Sequence, residues 1–468
     1  MPLLSLIAVL ACLLSLPGPA FAARDAHVSI MDDQLLLNEQ DATVVDRHMR
    51  RFRSLGVDRL HISAFWNQTA SDPLARQKPS NVTYNFANLD RAVGSAARHG
   101  LDVLISITTP APIWATGAPK RDNPVWKPKP GEFAKFANVV AKRYRGQADQ
   151  FAISNEPNQP GWLMPQTDKG GPYAPHHYRR MVNAAFPAIR RATNDRILIG
   201  ELASSGSTNV GPGSSIRPLK FLREFGCVTR SFRKRSKGRC RGFKAPRADA
   251  IGHHPYQFFS HPTKHSPHRD DAAIGDGRRF LRYLDRLVGR KRLISARGGK
   301  LSVHYTEFGY QTDPPDPYAG ISLRRQDRWL QEAARVAWRT PRVHSLNQFR
   351  LTDGPIYPGE GFAAYREFQS GILFRDFRQK PSYASFRQPF VAKRRGKRRL
   401  VLWGQARPGR RHRITVERRP RGGKWRRVAR DRTSRAGYWQ KTVRRRKGAY
   451  RYRWGSGKRR TSDAIRVG

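Results

Sequence analysis

A chain of 468 residues can hold one large domain and a small companion, and a net charge of +54 is far outside the range of an ordinary globular protein. Past residue 22 no segment is apolar enough to cross a bilayer, and no 20–50-residue repeat is visible, which excludes a membrane bundle and a solenoid. The charge is unevenly spread. Residues 391–468 carry 30 Lys and Arg against three acids (Glu417, Asp431, Asp463), a net +27, which leaves +27 for the first 390.

In chain order, residues 1–22 read as a secretory signal. An apolar run from Leu3 to Leu16 is followed by Pro17, Pro19 and the small-x-small site Ala20-Phe21-Ala22. The expected protein is therefore secreted, extracellular or associated with the cell envelope, with no transmembrane segment once the signal is removed. Cys12 leaves with it. Cys227 and Cys240 remain, and in an oxidising compartment they are expected to pair; a zinc site shared with His253 and His254 is the alternative.

From residue 23 to 390 short β-like runs alternate with amphipathic helical stretches. The strand candidates are 27–31, 59–65, 102–107, 150–154, 197–201, 248–254, 301–306 and 345–350. Eight strands separated by roughly 30–50 residues predict an α/β fold of the (β/α)8 TIM-barrel type. Between them, Leu89, Val93, Ala96 and Ala97 mark one helical face ended by Gly100. Phe133, Phe136, Val140 and Tyr144 mark another, and Ser322 is placed to cap a helix running to Arg339. A closing helix follows at 381–386. From 391 to 468 the texture becomes all-β, with short strands at 400–404, 413–417, 425–429, 438–443 and 450–454 between Gly-, Pro- and Arg-rich turns, as in a small sandwich. Trp403, Trp425, Trp439 and Trp454 interleave with arginines there. That composition suits an anionic partner such as a cell-wall polymer better than nucleic acid.

Two strand ends carry chemistry. Phe151-Ala-Ile-Ser154 stops at Asn155-Glu156-Pro157, and 301–306 stops at Glu307. Proline after Glu156 blocks further strand pairing, and the C-terminal tips of barrel strands are where such folds place reactive groups. Two carboxylates on two tips are what glycoside hydrolysis requires. Other stretches stand in order around them: Pro110-Ala-Pro-Ile-Trp114-Ala115, His254-Pro255-Tyr256, and Thr306-Glu307-Phe308-Gly309.

In these motifs residues 27–390 resemble clan A of the retaining glycoside hydrolases, closest in texture to bacterial members similar to families 39 and 5. The resemblance implies an O-glycosidase acting on a polysaccharide or oligosaccharide by double displacement, with no cofactor and no metal. Glu156 would be the acid/base and Glu307 the nucleophile. Asn155 would bind the sugar 2-hydroxyl, Tyr256 would hold Glu307, and His254 would line the same pocket. His61 and Gln348 are placed at the innermost sugar subsite, and Trp66, Trp114 and Trp162, each following a strand, are placed as sugar-stacking or core rings. Three positions depart from the clan: His61 where Arg is usual, Ser154 where an aromatic precedes Asn-Glu-Pro, and Phe349 in place of a strand-eight Trp. Those departures keep open a catalytically impaired carbohydrate-binding barrel, and the cationic tail keeps open an envelope-attached binding protein.

Overall fold

The computed structural model describes residues 25–455 and 460–468. The expected signal segment, with Cys12, lies outside them. Eight parallel strands close into a barrel in sequential order: β1 (His27–Met31), β2 (Arg59–Phe65), β3 (Asp102–Thr108), β4 (Gln150–Ile153), β5 (Arg196–Ala203), β6 (Ala250–His254), β7 (Ser302–Tyr305) and β8 (Val343–Phe349). β8 pairs back onto β1, with His27 opposite Ser345. All eight lie where the sequence places them, within a few residues at the ends. Runs such as Val-Leu-Ile-Ser-Ile in β3 are buried on both faces because helices cover a parallel barrel outside while side chains fill it inside.

The helices include α1 (Ala42–Leu55), α2 (Ala87–Arg98), α3 (Pro130–Tyr144), α4 (Ala174–Ala192), α5 (Pro218–Phe225), α6 (Gly277–Gly289), α7 (Leu323–Arg339) and α8 (Pro381–Arg387). In α2 the buried stripe is Leu89, Ala92, Val93 and Ala96, while Ala97, expected on that face, is exposed. Gly100 adopts φ +64°, and the chain reverses so that the Leu101 N–H reaches the Ala96 carbonyl at 3.0 Å. Ser322 does occupy the cap position of α7, although its hydroxyl makes no capping bond.

Inside the barrel the fill is divided. Leu104, Ala152, Leu198 and Ala250, on four consecutive strands β3–β6, form an apolar cluster. His61, Ser106, Glu201 and Thr306 are also buried there, which makes the adjoining interior polar.

Beyond α8 the chain forms two antiparallel sheets. One contains β9 (Phe390–Arg395), β10 (Arg399–Gln405) and β13 (Tyr438–Arg444); the other β11 (Arg413–Arg419), β12 (Arg426–Arg432), β14 (Gly448–Trp454) and two short strands, Arg460–Thr461 and Ile465–Val467. The sequence conceals β9, because its Lys393-Arg394-Arg395 run reads as a charged turn. Alternation sends Leu400 and Leu402 of β10 into a core with Ile414, Val416, Trp439, Tyr452 and Trp454. Trp403 lies on the opposite side of β10 and packs with Val391, Tyr438, Ala334 and Trp338. Its ring centroid is 5.9 Å from that of Trp338 on α7. Lys393 adds an ion pair to Glu332 of α7 at 3.2 Å, and the Tyr438 hydroxyl donates to the Ala26 carbonyl at 3.1 Å. The first sheet is therefore fastened to the barrel. Trp403, Trp439 and Trp454 are core residues here, which corrects the expectation that their rings present a binding surface.

Cys227 and Cys240 form a disulfide with Cα atoms 5.7 Å apart. Their sulfurs are thereby committed, and the zinc alternative with His253 and His254 falls. Among the described residues no helix is long and apolar enough to cross a membrane.

Candidate active site

β4 ends at Ile153, and the next residues turn sharply. Ser154 and Glu156 adopt φ +66° and +34°, conformations that cost a non-glycine residue free energy and survive only where neighbours impose them. The neighbours are identifiable. The Ser154 N–H donates to the Ile107 carbonyl at 2.8 Å, the Asn155 N–H to Thr108 Oγ1 at 3.0 Å, and the Glu156 N–H to the Glu201 carbonyl at 3.1 Å. Glu156 is thus pinned by β3 on one side and β5 on the other. Asn155 is buried, and its Oδ1 has no hydrogen-bond partner among the described residues, so it remains free for a ligand.

Glu307 follows β7, whose end is tied to β6 by the Thr306 N–H donating to the His253 carbonyl at 3.0 Å. The Tyr256 hydroxyl donates to Glu307 Oε2 at 2.9 Å. Tyr256 is itself set by rings of Phe258, Phe308, Phe349 and Phe368, with centroids 5.5–6.3 Å away. Phe349 therefore supports Tyr256 from strand eight. His254 Nδ1 lies 2.9 Å from Glu156 Oε1 and 3.6 Å from Glu307 Oε2. One donor atom from each of Glu156, His254 and Glu307 falls within 4.8 Å of the other two, a spacing at which ionisation of one carboxyl group opposes that of the other and at which the three could grip one small centre, a divalent cation included.

Burial pushes both carboxyl groups up to about 8. On Glu307 burial is opposed by His254 and the Tyr256 hydroxyl and reinforced by the charges of Glu156 and Glu201; on Glu156 burial is the cause. The Tyr256 hydroxyl bonds Glu307 and not Glu156, which favours Glu307 as the ionised member of the pair. Removing the Tyr256 donor should make ionisation harder. Tyr256→Phe is expected to move the acidic limb of a kcat/KM–pH profile to higher pH and to lower the plateau by roughly 10- to 100-fold, the worth of one hydrogen bond to a charged group. An unchanged acidic limb would show that Tyr256 does not tune Glu307.

A third buried acid, Glu201, ends the predicted strand 197–201 but was not singled out as a site residue. Glu201 sits at a β-bulge in β5, where pairing with β6 slips between Gly200 and Leu202, and it has φ +45°. Bulges of this kind re-aim a side chain. A Cβ on Gly252 would lie 2.5 Å from Glu201 Cγ, so glycine is required opposite it. Ser106 Oγ is 2.6 Å from Glu201 Oε2 and 2.8 Å from His61 Nε2, and His61 Nδ1 is 2.8 Å from the Thr306 carbonyl oxygen. A carbonyl only accepts, so His61 carries its proton on Nδ1 and its Nε2 takes the Ser106 hydroxyl proton. Ser106 then has only lone pairs for Glu201, which must be the protonated partner. The alternative, an imidazolium facing a carboxylate, is opposed by burial, which pushes His61 down to about 3 and Glu201 upward. Glu201 is a neutral acid beside the Glu156–Glu307 pair.

That state has a stability consequence. A carboxyl whose folded pKa is raised keeps a proton that the unfolded chain loses, so its contribution declines as pH rises above the ordinary glutamate range. Glu201→Gln keeps the donor to Ser106 and removes the titration. Its melting temperature should match wild type near pH 4.5 and exceed it by roughly 2–4 °C at pH 8. A pH-independent difference would mean that Glu201 is ionised.

Several side chains expected to meet the sugar are committed to protein partners instead. His61 is fully buried with both ring nitrogens engaged, so it braces Thr306 and Ser106 and cannot reach a sugar. Trp66 and Trp114 face outward into the helical layer. Trp66 stacks on Phe136 and meets Trp114 and Phe133 edge-on, which leaves neither indole a free face for a sugar. The Gln348 amide donates to the carbonyls of Phe349, Arg350 and Ser370, tethering the loop after β8. Trp162 differs: it is half-buried and stacks on Phe65 with centroids 6.2 Å apart, leaving part of the ring accessible.

No protein-family model matches the sequence, and no curated protein matches it. Solved structures of similar shape are glycoside hydrolases. One is the GH39 enzyme from Xanthomonas axonopodis pv. citri, with 12% identity, TM-score 0.48, and coverage of 91% of this chain and 93% of that one. A second is GH10 from Paenibacillus barcinonensis, with 13% identity, TM-score 0.44, and coverage of 79% and 97%. A third is a β-glucuronidase from Bacteroides uniformis, with 11% identity and TM-score 0.47; the likeness covers 96% of this chain but 46% of that one. At TM-scores below 0.5 these likenesses establish no activity for this chain, and its own side chains must carry the case.

Proposed function

We infer that the chain is an exported retaining glycoside hydrolase that cleaves O-glycosidic bonds of a polysaccharide or oligosaccharide by double displacement. The observation that carries this is the donor-atom spacing of no more than 4.8 Å between Glu156 and Glu307, together with their unequal partners. Retaining enzymes hold the pair about 5–5.5 Å apart for direct attack, whereas inverting ones leave about 6.5–9.5 Å for a water. Glu307, held by Tyr256, attacks the anomeric carbon while Glu156 protonates the departing oxygen. Glu156, now ionised, then takes a proton from the water that hydrolyses the glycosyl–Glu307 ester. Asn155 Oδ1 is placed to accept from a sugar hydroxyl beside the reacting centre, and Trp162 offers an apolar ring. The reaction needs no metal and no organic cofactor.

The departures at His61, Ser154 and Phe349 leave a catalytically silent sugar-binding barrel as the second reading, since His61 takes no part in the cleft. A glycan-panel hydrolysis assay of wild type beside Glu156→Gln and Glu307→Gln separates the two. Hydrolysis by wild type that both substitutions suppress supports the enzyme. Activity that survives both would refute the assignment, and glycan binding without hydrolysis would establish the silent barrel. The residues from 391 onward are read as a β-rich module that engages an anionic polymer.

A further inference from the structure

The second C-terminal sheet turns one face inward, where Ile414, Val416, Tyr450, Tyr452 and Trp454 join the core. The other face points away from the first sheet, which is itself fastened to the barrel, so nothing among the described residues covers it. The strand register fixes what that face displays. Arg413 on β11 stands opposite Arg432 on β12. Thr415 stands between Arg430 and Arg453, and Glu417 between Arg427 and Arg451. Six guanidinium groups thus surround one carboxylate, and that carboxylate is already committed to Arg451 at 2.8 Å and Arg453 at 3.1 Å. These arginines, Arg451 excepted, line a groove of about 910 Å³, to which Asp431, a second carboxylate, and Ile414 and Trp454 also contribute at the strand ends.

Like charges placed directly opposite on neighbouring strands destabilise a sheet. Arg413 across from Arg432 is such a pair, and both side chains are exposed. A folded protein tolerates that arrangement without cost when an anion occupies the space between. Arginine suits the task because its planar fork pairs bidentately with carboxylate or phosphate. Along a strand the rows repeat at about 6.8 Å and across strands at about 4.8 Å, so the anion that fits is extended and multiply charged.

The aromatic groups decide which polyanion. Binding of single-stranded nucleic acid relies on free rings for base stacking. Here Trp425 is covered by Arg419 and Arg451, at 5.0 and 4.1 Å, and Trp454 at the groove end is covered by His412 and Arg460. Among the described residues no stacking platform remains on this face. We propose that the groove formed by Arg413, Arg427, Arg430, Arg432 and Arg453 binds an acidic polysaccharide through its carboxylates. The choice of a glycan, and with it of carboxylate over phosphate, rests on the glycosidase reading; the choice of an extended, unstacked polyanion rests on the groove alone.

The test uses the full exported chain carrying Glu307→Gln, so that binding is read without cleavage. The probes are polygalacturonate, its fully methyl-esterified neutral form, and single- and double-stranded DNA, each at 50 and 200 mM NaCl. Expected are binding of polygalacturonate that weakens steeply with salt, no binding of the ester, and a thermal shift with polygalacturonate. The variant Arg413→Ser/Arg430→Ser/Arg432→Ser should lose at least tenfold in affinity together with the ligand-induced shift. Its own melting temperature without ligand should be no lower than wild type, because a repulsive pair is gone. Failure to bind polygalacturonate at 50 mM salt, full affinity in the variant, or tighter binding of either DNA form would overturn the proposal. Polymer binding by a chain whose wild type cleaves no glycan would instead leave the groove standing and remove the glycosidase reading.

Discussion

Glu307→Gln is expected to reduce kcat/KM on any hydrolysed glycan by about 10⁴-fold or more, because an amide cannot form the glycosyl ester on which the two-step route depends. The same substitution should stabilise the protein. Glu307 holds its proton in the folded state up to about 8, against an ordinary glutamate value of 4.5. Between those pH values the unfolded chain has lost a proton that the folded chain retains, so native stability declines as pH rises through the window. Glutamine does not titrate and escapes the penalty. The gain should be about 1–3 kcal/mol at pH 7, shared with the neighbouring acid, and should vanish near pH 4. Thermal melts across pH, run beside activity assays, read both effects on one preparation. A variant that is inactive and also destabilised at pH 7 would indicate collapse of the cleft rather than loss of a nucleophile.

Glu156→Gln is expected to behave differently according to the leaving group. Protonation of a departing sugar alkoxide contributes about 10²–10⁴-fold, so polymer hydrolysis should fall by that factor. An aryl glycoside whose phenol leaves without help should lose less than about tenfold in the glycosylation step, and the glycosyl-enzyme should accumulate because Glu156 no longer activates water. A pre-steady-state burst of phenol is the signature. Equal losses on sugar and aryl leaving groups would assign the acid to another residue, with His254 next in line at 2.9 Å from Glu156.

The barrel was legible because each strand is an apolar run bounded by turns, and because the two acids interrupt such runs at their ends, where a charge cannot be core. Glu201 was passed over for the opposite reason. It sits inside Arg196–Ala203, and only the β-bulge at Gly200–Leu202 aims it inward. A glycine followed by a lone carboxylate in an otherwise apolar strand was the available signal. Trp66 and Trp114, each following a strand, could be read as sugar-stacking or as core rings, because a residue past a strand tip can turn outward as readily as inward; the core reading holds. Here four aromatic rings clustered between α3 and the barrel draw both indoles outward. β9 was missed because lysine and arginine dominate it, and its pairing with β10 is a tertiary fact. His61 lies on β2 as expected, but it is fully buried with both ring nitrogens engaged, a depth that spacing along a strand does not report.

The joint of Trp403, Tyr438 and Val391 against Ala334 and Trp338 has one more consequence. A module on a flexible tether samples many distances from its enzyme, and its grip raises local substrate concentration as an average over that reach. Here there is no tether to average over. An arginine-lined groove mounted on α7 through a buried tryptophan stands at one fixed distance and direction from the carboxylate pair. A bound chain either spans both sites in a single geometry or cannot engage them together, so the spacing between grip and cut becomes a property of the fold.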